Sequence, residues 1–414
     1  MTQNPIKINT AFSVSVKSGY MFNYFKLGET NNNFFVIKYS NWTNERIELE
    51  KGIYKSCVKK LNDTDITVTE SSNFILDANY TILPKNAVQH DIVVKPRPVI
   101  LDTDWWTDVD DAIAIRTLLW GERCGMVDIM GIVLDAVKDT SVQSLDTFLN
   151  YEGRSGLCIA KESDGTDFGG IPSYHNSILN AWKYSDYKNN NCEESTNFYR
   201  RALSSLSDDE KADIICIGYL NAFSKLLNSE PDEYSELDGK TLVNQKVRKV
   251  YCMGGYYPTG KENNFSRNKR AVVSAQNVCF NCPVEIIFLG WEVGNTVLVG
   301  NTIKDTIGTN DLIYKSLLAH GGTSEANNGR SAWDPMLVLM ALYDDFNASG
   351  YTATSGNVIV TDDGSSSFDV NSTGMHKYVT KKYSDEWYQY QLNSIIEKKC
   401  WPMRNLGNKQ LSKI

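Results

Sequence analysis

Hydrophobic and polar positions follow two different patterns along the chain. Over residues 1 to about 92, turns rich in Asn, Asp and Gly separate short runs of alternating or β-branched apolar residues, at 12–16, 34–39, 46–49, 65–69 and 80–83. Short strands at this spacing are typical of a small β-sandwich or barrel. We therefore predict an all-β domain over residues 1–94, with a docking, oligomerisation or carbohydrate-contacting role.

The pattern changes after Val99, where continuous apolar runs alternate with helical segments. The predicted strands of this part lie at 99–102, 127–134, 212–218, 247–255 and 284–290. This alternation is typical of a mostly parallel central sheet with helices on both faces. The segment Lys95-Pro-Arg-Pro98 forms a stiff joint before it, because each proline biases the preceding residue away from the helical region. Residues 95–414 are therefore assigned to an α/β domain.

Composition narrows the classes of partner. A net charge of −8, with 42% hydrophobic and 22% charged residues, gives no electrostatic footprint for nucleic acid or an anionic membrane. No apolar run approaches the roughly eighteen residues of a membrane-spanning helix, and the first residues lack the layout of a signal peptide. The nine cysteines are scattered, several of them within apolar runs. Such cysteines are typical of reduced core thiols, so we expect a cytoplasmic protein.

The most unusual stretch is an acidic loop at the end of the first α/β strand. Five carboxylates occur within residues 102–111, between a buried strand and an apolar, Ala-rich helix. A helix N-terminus favours one or two acidic residues, but a cluster of this size repels itself and raises its own pKa values. A hard divalent cation, Ca²⁺ or Mg²⁺, would stabilise it. The alternative interpretation is a solvated acidic turn with one helix cap.

Polar residues follow other predicted strands as well. In parallel sheets ligands bind beyond the carboxyl ends of strands, so these positions are candidates for function. Each has a simpler structural interpretation as a turn or a helix cap, and their joint occurrence favours a site. The motifs are Gly218-Tyr-Leu-Asn-Ala222, Met253-Gly-Gly255 with Glu262 and Asn264, Gly290-Trp-Glu292-Val-Gly294, and Gly329-Arg-Ser-Ala-Trp333-Asp334-Pro335.

These motifs resemble those of the inosine–uridine-type nucleoside hydrolases over residues 99 to about 400. The family's opening strand–Asp-x-Asp–turn–Asp-Asp-Ala is matched by Asp102-Thr-Asp104 and Asp110-Asp111-Ala, with the longer turn of a divergent branch. Its Gly-Pro-Leu-Thr-Asn segment resembles the one that contains Asn221. Its Met-Gly-Gly loop and its closing aspartate before a helix are matched in the same order. The resemblance implies an α/β nucleoside hydrolase fold.

The resemblance also implies a calcium site and a general base. Asp104 would bridge Ca²⁺ and the attacking water, and accept the proton of that water. Asp111 would be the main metal ligand. Asn221 would offer its backbone carbonyl, and Asp334 would complete the protein ligands of the metal while also contacting ribose. Asp102 would orient the cluster from behind.

The remaining implied roles concern the substrate. Asp110 would hold the ribose 2′-hydroxyl, while Glu262 and Asn264 would bind the 5′- and 3′-hydroxyls. Glu292, in a Gly-x-Glu-x-Gly turn of the divergent branch, would orient neighbouring groups or support the turn. Carboxylates below the ring would stabilise the positive charge that develops on ribose as the N-glycosidic bond breaks.

Two tryptophans depart from the family's pattern. Trp333 stands where the best-known members have the histidine that protonates the leaving base, and Trp106 stands at a position usually held by glycine. Either another acid protonates the base, or the base leaves after stacking on an aromatic platform. The candidate acids are Tyr256, Tyr257 and His320, and the candidate platforms are Trp105, Trp106 and Trp333.

Three functions are compatible with this sequence. The first is Ca²⁺-dependent hydrolysis of a ribonucleoside to ribose and free base, as in nucleoside salvage, by a homo-oligomer. The second is a catalytically altered or inactive relative that docks through residues 1–94 into a larger assembly, such as a cell surface or a virus particle. The third is hydrolysis of a different ribosyl or glycosyl bond.

Overall fold

A computed structural model describes residues 96–106, 108–123, 126–164, 172–184 and 192–397. Of the first 95 residues it describes only the backbone of six strands: β1 (Ile8–Ala11), β2 (Tyr20–Lys26), β3 (Phe35–Lys38), β4 (Arg46–Leu49), β5 (Gly52–Lys60) and β6 (Asn73–Leu76). β1 pairs with β4, and the other four pair in the order β3-β2-β5-β6, all antiparallel. The rest of the predicted all-β domain lies outside the described residues, and its boundary and docking role stay predictions.

The α/β part of the chain alternates strands and helices, as predicted. Its strands are β7 (Arg97–Thr103), β8 (Val127–Leu134), β9 (Ile159–Lys161), β10 (Glu193–Glu194), β11 (Ala212–Cys216), β12 (Val247–Met253), β13 (Thr259–Lys261), β14 (Ile286–Leu289), β15 (Leu298–Val299), β16 (Arg330–Ser331), β17 (Tyr351–Val360), β18 (Ser365–Val370) and β19 (His376–Lys381).

Thirteen helices are described in the same part of the chain. They are α1 (Asp110–Arg123), α2 (Ser141–Tyr151), α3 (His175–Ala181), α4 (Ser195–Ser204), α5 (Asn221–Leu227), α6 (Gly239–Lys246), α7 (Asn263–Ser266), α8 (Lys269–Asn281), α9 (Trp291–Gly294), α10 (Ile303–Thr306), α11 (Leu312–Asn328), α12 (Trp333–Tyr343) and α13 (Asp385–Ile396). Of these described helices, none is both long and apolar enough to cross a membrane.

One large sheet organises these elements. Its strand order is β10-β9-β8-β7-β11-β12-β14-β19-β17-β18-β13. The pairs around β7, β11, β12, β14 and β19 are parallel, whereas β19, β17, β18 and β13 form an antiparallel edge. The predicted mostly parallel sheet is therefore confirmed, with an antiparallel extension.

The strand order reverses at β7. The chain runs outward from β7 through β8 and β9 to β10, and then returns to form β11 on the other side of β7. Loops that leave two such neighbouring strands diverge in opposite directions, so a crevice opens beyond their carboxyl ends. The acidic loop follows β7 directly, which places it at this crevice.

Helices cover both faces of the sheet because alternate side chains of each buried strand point in opposite directions. In β12, Val250 and Cys252 join a core cluster that includes Leu242 and Val243 of α6. Tyr251 lies between them and points to the other face, where its hydroxyl donates a hydrogen bond of 2.6 Å to Asp344 at the end of α12.

A buried ion network fixes the long helix α11 against α1 and α2. The Arg116 guanidinium donates to Glu152 Oε1 at 2.6 Å and to Asp311 Oδ2 at 2.9 Å, and all three side chains are fully buried. Asp311 also caps α11, since its other carboxylate oxygen accepts the Ile313 N–H at 2.9 Å. The network therefore sets the position from which α11 begins.

Candidate active site

The loop between β7 and α1 is held by hydrogen bonds within the acidic motif itself. The Thr103 hydroxyl and Asp111 form a short hydrogen bond, and the Trp105 N–H lies 3.1 Å from Thr103 Oγ1 and 3.3 Å from Asp111 Oδ1. Trp105 has a φ of 40°, a left-handed conformation that is uncommon for a bulky residue. The loop therefore turns sharply just after Asp104.

Trp105 anchors this turn in the interior. Its indole N–H donates to Ser144 Oγ at 2.9 Å, and its carbonyl oxygen lies 2.7 Å from His175 Nε2. Burial lowers the pKa of His175 to about 4, so the ring is neutral at pH 7. Because a carbonyl oxygen only accepts, Nε2 carries the proton, and Nδ1 accepts from the Thr140 hydroxyl at 2.9 Å. Trp105 is thus a structural anchor rather than part of a cavity wall.

Three carboxylates converge from two helices. Asp110 and Asp111 form the first turn of α1, and Asp334 lies in the first turn of α12. One oxygen from each of the three lies within 4.8 Å of the others, and all three side chains are buried. The Asp334 N–H also donates to Asp110 Oδ2 at 3.1 Å. The structure thus brings together residues more than two hundred positions apart.

The negative charges of these buried carboxylates are unfavourable, because they are removed from water and repel one another. Burial, followed by the charges of neighbouring carboxylates, raises the pKa of Asp110, Asp111 and Asp334 well above the ordinary value. Burial raises the pKa of Asp104 to about 7, and Asp108 and Asp110 add to the shift. Buried carboxylate oxygens that converge on one point are the ligand set that a hard divalent metal requires. The residues present therefore fit a Ca²⁺ or Mg²⁺ ion.

Asp108 differs from the other acidic residues of the loop. Burial alone would raise its pKa, but the hydrogen bonds and charge of Arg330 lower the pKa below the ordinary value. Arg330 Nε donates to Asp108 Oδ1 at 2.8 Å, and the Val109 N–H donates to the same oxygen at 2.7 Å. Asp108 therefore stays ionised as half of an ion pair at the edge of the cluster.

A cavity of about 400 Å³ opens above the carboxylates. It contains most of the predicted site residues, together with several that the sequence did not single out. Its lining consists of Asp104, Asp108, Asp110, Asp111, Ile217, Met253, Glu262, Asn263, Asn264, Arg267, Trp291, His320, Arg330, Trp333 and Asp334. Four strand ends and the start of α12 thus contribute to one pocket.

Glu262 and Asn264 meet at one wall of this cavity. Glu262 caps the short helix α7: it accepts the N–H groups of Gly255 at 2.9 Å, Asn264 at 2.6 Å and Phe265 at 2.8 Å. Burial nevertheless raises the pKa of Glu262 to about 7. The Asn264 amide donates to the Met253 carbonyl at 3.2 Å, which ties α7 to the end of β12. Both side chains are therefore held rigidly at the cavity.

Asp102 and Asn221 lie behind the cavity, together with Asp135, which the sequence did not single out. The Tyr199 hydroxyl donates to Asp102 Oδ2 at 2.6 Å, and the Asn221 amide donates to the Asp135 carbonyl at 2.8 Å. Asp135 follows β8 directly, so its position at a strand end was an available signal. A Cβ on Gly218 would lie 2.4 Å from both the Asp104 N and the Asp135 carboxylate, so only glycine fits between them.

The aromatic residues divide between the cavity wall and the interior. Trp291 and Trp333 line the cavity with ring centroids 6.3 Å apart. The indole N–H of Trp333 donates to the Trp291 carbonyl at 2.7 Å. Tyr256 stacks on Trp291 with centroids 5.5 Å apart.

Trp106 is fully buried against Tyr219, and among the described residues it does not line the cavity. Two cationic groups lie over its ring: the Lys138 ammonium, 4.1 Å from the ring centroid, and the Arg267 guanidinium, 5.2 Å from it.

Two further predicted residues support the walls. Glu292 accepts the Tyr257 N–H at 3.1 Å, which links α9 to the loop after β12, and it lies outside the cavity lining among the described residues. Tyr257 is 3% exposed and packs against Tyr378, with centroids 5.3 Å apart.

Of the three candidate acids, Tyr256, Tyr257 and His320, only His320 lines the cavity. The sequence missed Trp291 and Arg330, although both lie within the motifs that it marked.

Nucleoside hydrolases share this fold among solved structures. The inosine-uridine preferring nucleoside hydrolase from Bacillus anthracis is 14% identical, with 73% of this chain and 99% of that one aligned at a TM-score of 0.53. The purine-preferring ribonucleoside hydrolase from Gardnerella vaginalis is 15% identical, with 72% and 98% aligned at a TM-score of 0.55. A plant nucleoside hydrolase, PpNRh1, is 15% identical, with 74% and 99% aligned at 0.53.

Sequence comparison gives no comparable match: no family model matches the chain, and no curated protein matches it. The described α/β part therefore has the nucleoside hydrolase fold. The resemblance predicted from the motifs is confirmed at the level of the fold.

Proposed function

We propose that the protein hydrolyses the N-glycosidic bond of ribonucleosides, with Ca²⁺ as the resident metal. The observation that carries the proposal is the buried cluster of Asp110, Asp111 and Asp334, which together with Asp104 forms the floor of a cavity at the strand-order reversal. A purely structural role accounts neither for the free-energy cost of burying these carboxylates nor for the open cavity above them.

The metal would be held by Asp104, Asp111 and Asp334, with the backbone carbonyl of Asn221 as a further donor. When bound, Ca²⁺ lowers the pKa of a water molecule and neutralises the cluster. The all-oxygen donor set supports a hard cation, and the several carboxylates favour Ca²⁺, which accepts more ligands than Mg²⁺.

The chain's own residues would then supply three functions. Asp104 accepts a proton from the water that attacks the anomeric carbon. Asp110 accepts a hydrogen bond from the 2′-hydroxyl, and Glu262 and Asn264 position the 5′- and 3′-hydroxyls. The bond from the anomeric carbon to the base nitrogen breaks as the new carbon–oxygen bond forms, and the carboxylates stabilise the positive charge on the sugar ring. The products are ribose and the free base.

The wall of Trp291 and Trp333 would bind the base by stacking. Both rings line the cavity, whereas Trp105 and Trp106 are fully buried. We therefore assign the platform role to Trp333, one of the candidates from the sequence, and extend it to Trp291. Trp106 would act from outside the cavity, by packing against Tyr219 beneath the site.

The test is a panel of purine and pyrimidine ribonucleosides, incubated with the protein in Ca²⁺ or in EDTA. Free base is measured by chromatography and ribose by a reducing-sugar assay. We expect base release from at least one riboside in Ca²⁺, little in EDTA, and a loss of about 10²- to 10⁴-fold in kcat for Asp104→Asn, the range typical of a lost general base.

The matched control is Asp208→Asn, which removes an equal charge at a fully exposed side chain. It should leave turnover unchanged. Absence of base release from every riboside in Ca²⁺, or full activity of Asp104→Asn, would refute the proposal.

A further inference from the structure

We infer that His320 is the catalytic acid that protonates the leaving base. The inference rests on the proposed hydrolysis of an N-glycosidic bond. Cleavage of that bond leaves the electron pair on a base nitrogen, and an anionic base is a poor leaving group. A proton donor at the cavity would therefore accelerate the reaction.

The described cavity lining offers few groups that could give up a proton at neutral pH. The two guanidinium groups, Arg267 and Arg330, are too basic. The indole N–H of Trp333 is already donated to a backbone carbonyl. Each carboxylate oxygen of Glu262 accepts at least one backbone N–H, so neither presents a proton to the cavity. Asp108 stays ionised in its ion pair with Arg330, and the remaining carboxylates form the acidic floor, which leaves His320.

A break in α11 holds this histidine in place. Gly322 has φ 68° and ψ −162°, a conformation restricted to glycine, and it interrupts the helix two residues after His320. Beyond the break, Glu325 returns to His320: its carboxylate oxygens lie 2.9 and 3.0 Å from His320 Nδ1. A Cβ on Gly321 would lie 2.0 Å from Glu325 Oε2, so glycine makes room for the pair.

The pair also sets the direction of proton transfer. Because Glu325 accepts from Nδ1, the second ring nitrogen of His320 is the one available to a substrate. The hydrogen bond from Glu325 raises the pKa of His320 above its ordinary value, although burial opposes the shift. The charges of Glu325 and Asp108 add to the increase, and that of Arg330 reduces it. The protonated imidazolium is therefore more populated at neutral pH than it is in an unperturbed histidine.

The step balances with groups already present. As the bond from the anomeric carbon to the base breaks, its electron pair moves to the base, and the proton on His320 Nε2 moves to a basic atom of the base. His320 becomes neutral and remains bound to Glu325. The proton that Asp104 takes from water is later released to solvent, and His320 is reprotonated from solvent.

The experiment compares two ribosides that differ in their need for an acid. A ribonucleoside requires protonation of its base, whereas p-nitrophenyl β-ribofuranoside releases a stable phenolate without it. For His320→Gln we expect kcat on the ribonucleoside to fall about 10²- to 10³-fold, with kcat on the p-nitrophenyl riboside within about threefold of wild type.

A second variant tests the ion pair through the pH profile. Activity that needs protonated His320 is lost as pH rises through the pKa of His320. Glu325→Gln removes the negative partner and lowers that pKa, so we expect the alkaline limit of kcat on the ribonucleoside to move down by about one pH unit. The profile on the p-nitrophenyl riboside should not move.

The outcomes separate this inference from the proposed function. Equal losses on both substrates for His320→Gln would show that His320 only supports the fold, and unchanged rates on both would show that it is dispensable. Either result overturns the acid role while wild-type turnover stands. If wild type cleaves neither riboside, the proposed function fails and the acid role fails with it.

Discussion

Trp333 and Asp334 are adjacent in the chain, and both line the cavity. Asp334 joins the buried carboxylates of the floor, whereas Trp333 forms part of the wall. The Trp333 ring is fixed by its hydrogen bond to Trp291 and by the Arg330 guanidinium, 5.5 Å from the ring centroid. A fixed aromatic surface loses little conformational freedom when a flat ligand stacks on it.

Replacement of this ring should weaken binding of the base. For Trp333→Ala we expect KM for a ribonucleoside to rise about tenfold, in line with roughly 1–3 kcal/mol for stacking of a base on an aromatic side chain. Trp333→Phe keeps an aromatic surface and should retain most of the affinity. Steady-state kinetics provide the measurement, and an unchanged KM for Trp333→Ala would argue against a stacking role.

At the scale of elements, α11 links the ion network of the fold to the cavity. Its first residues are fixed by Asp311, which bonds to Arg116 of α1, and His320, two residues before its glycine break, lines the cavity. Arg116 also donates to Glu152, directly after α2, and to the Ile396 carbonyl at the end of α13. One buried guanidinium therefore holds four helices together.

Loss of this guanidinium would remove the positive charge that faces two buried carboxylates, Glu152 and Asp311. For Arg116→Met we expect the free energy of unfolding to fall by about 3–5 kcal/mol, the cost typical of breaking a buried ion pair by removing one member. The control, Arg201→Met, breaks a partly exposed pair with Glu193 and should cost about 1 kcal/mol or less. Guanidinium denaturation followed by tryptophan fluorescence measures both. Similar losses for the two variants would contradict the expectation.

For the whole molecule, the carboxylate cluster connects distant parts of the sheet. Asp104 follows β7, Asp111 lies in the first turn of α1, and Asp334 lies in the first turn of α12, more than two hundred residues later. A cation that binds all three stabilises the folded state by mass action, since the unfolded chain does not bring these residues together.

Calcium should therefore raise the melting temperature, and more so at higher pH. Without metal, the folded state keeps protons on carboxylates whose pKa values are raised, Asp104 to about 7. Its stability then falls as pH rises from the unfolded value near 4 through the folded value. The proposed Ca²⁺ would bind the deprotonated carboxylates, so the increase in melting temperature should be larger at pH 8 than at pH 5. At a free Ca²⁺ concentration of about 100 times Kd, the free energy of unfolding rises by roughly 2.7 kcal/mol.

Thermal denaturation in CaCl₂ and in EDTA at the two pH values measures this effect. Asp111→Asn should remove most of the calcium-dependent increase at both. An equal increase at pH 5 and pH 8 would contradict competition between protons and the metal.

The strand–loop–helix units were predictable because their signals are local. The predicted strand at 127–134 matches β8, and the Ala-rich helix predicted after the acidic loop matches α1. Apolar runs of strand length and acidic residues at a helix start act over a few neighbouring positions. The same local signals marked Asp104, Asp110 and Asp111 as a candidate cation site.

Only the tertiary structure decided which residues meet. Asp334 reaches Asp110 across 224 positions, and Arg330 pairs with Asp108 across 222. Such contacts depend on the reversal of strand order at β7, which no short window of sequence contains. Packing likewise buried Trp105 and placed Trp333 at the cavity, although the same residue type stands at both positions. The sequence by itself determined the elements and the chemistry of the acidic loop; the order of the strands determined the site, because contacts between distant side chains follow from how the elements pack.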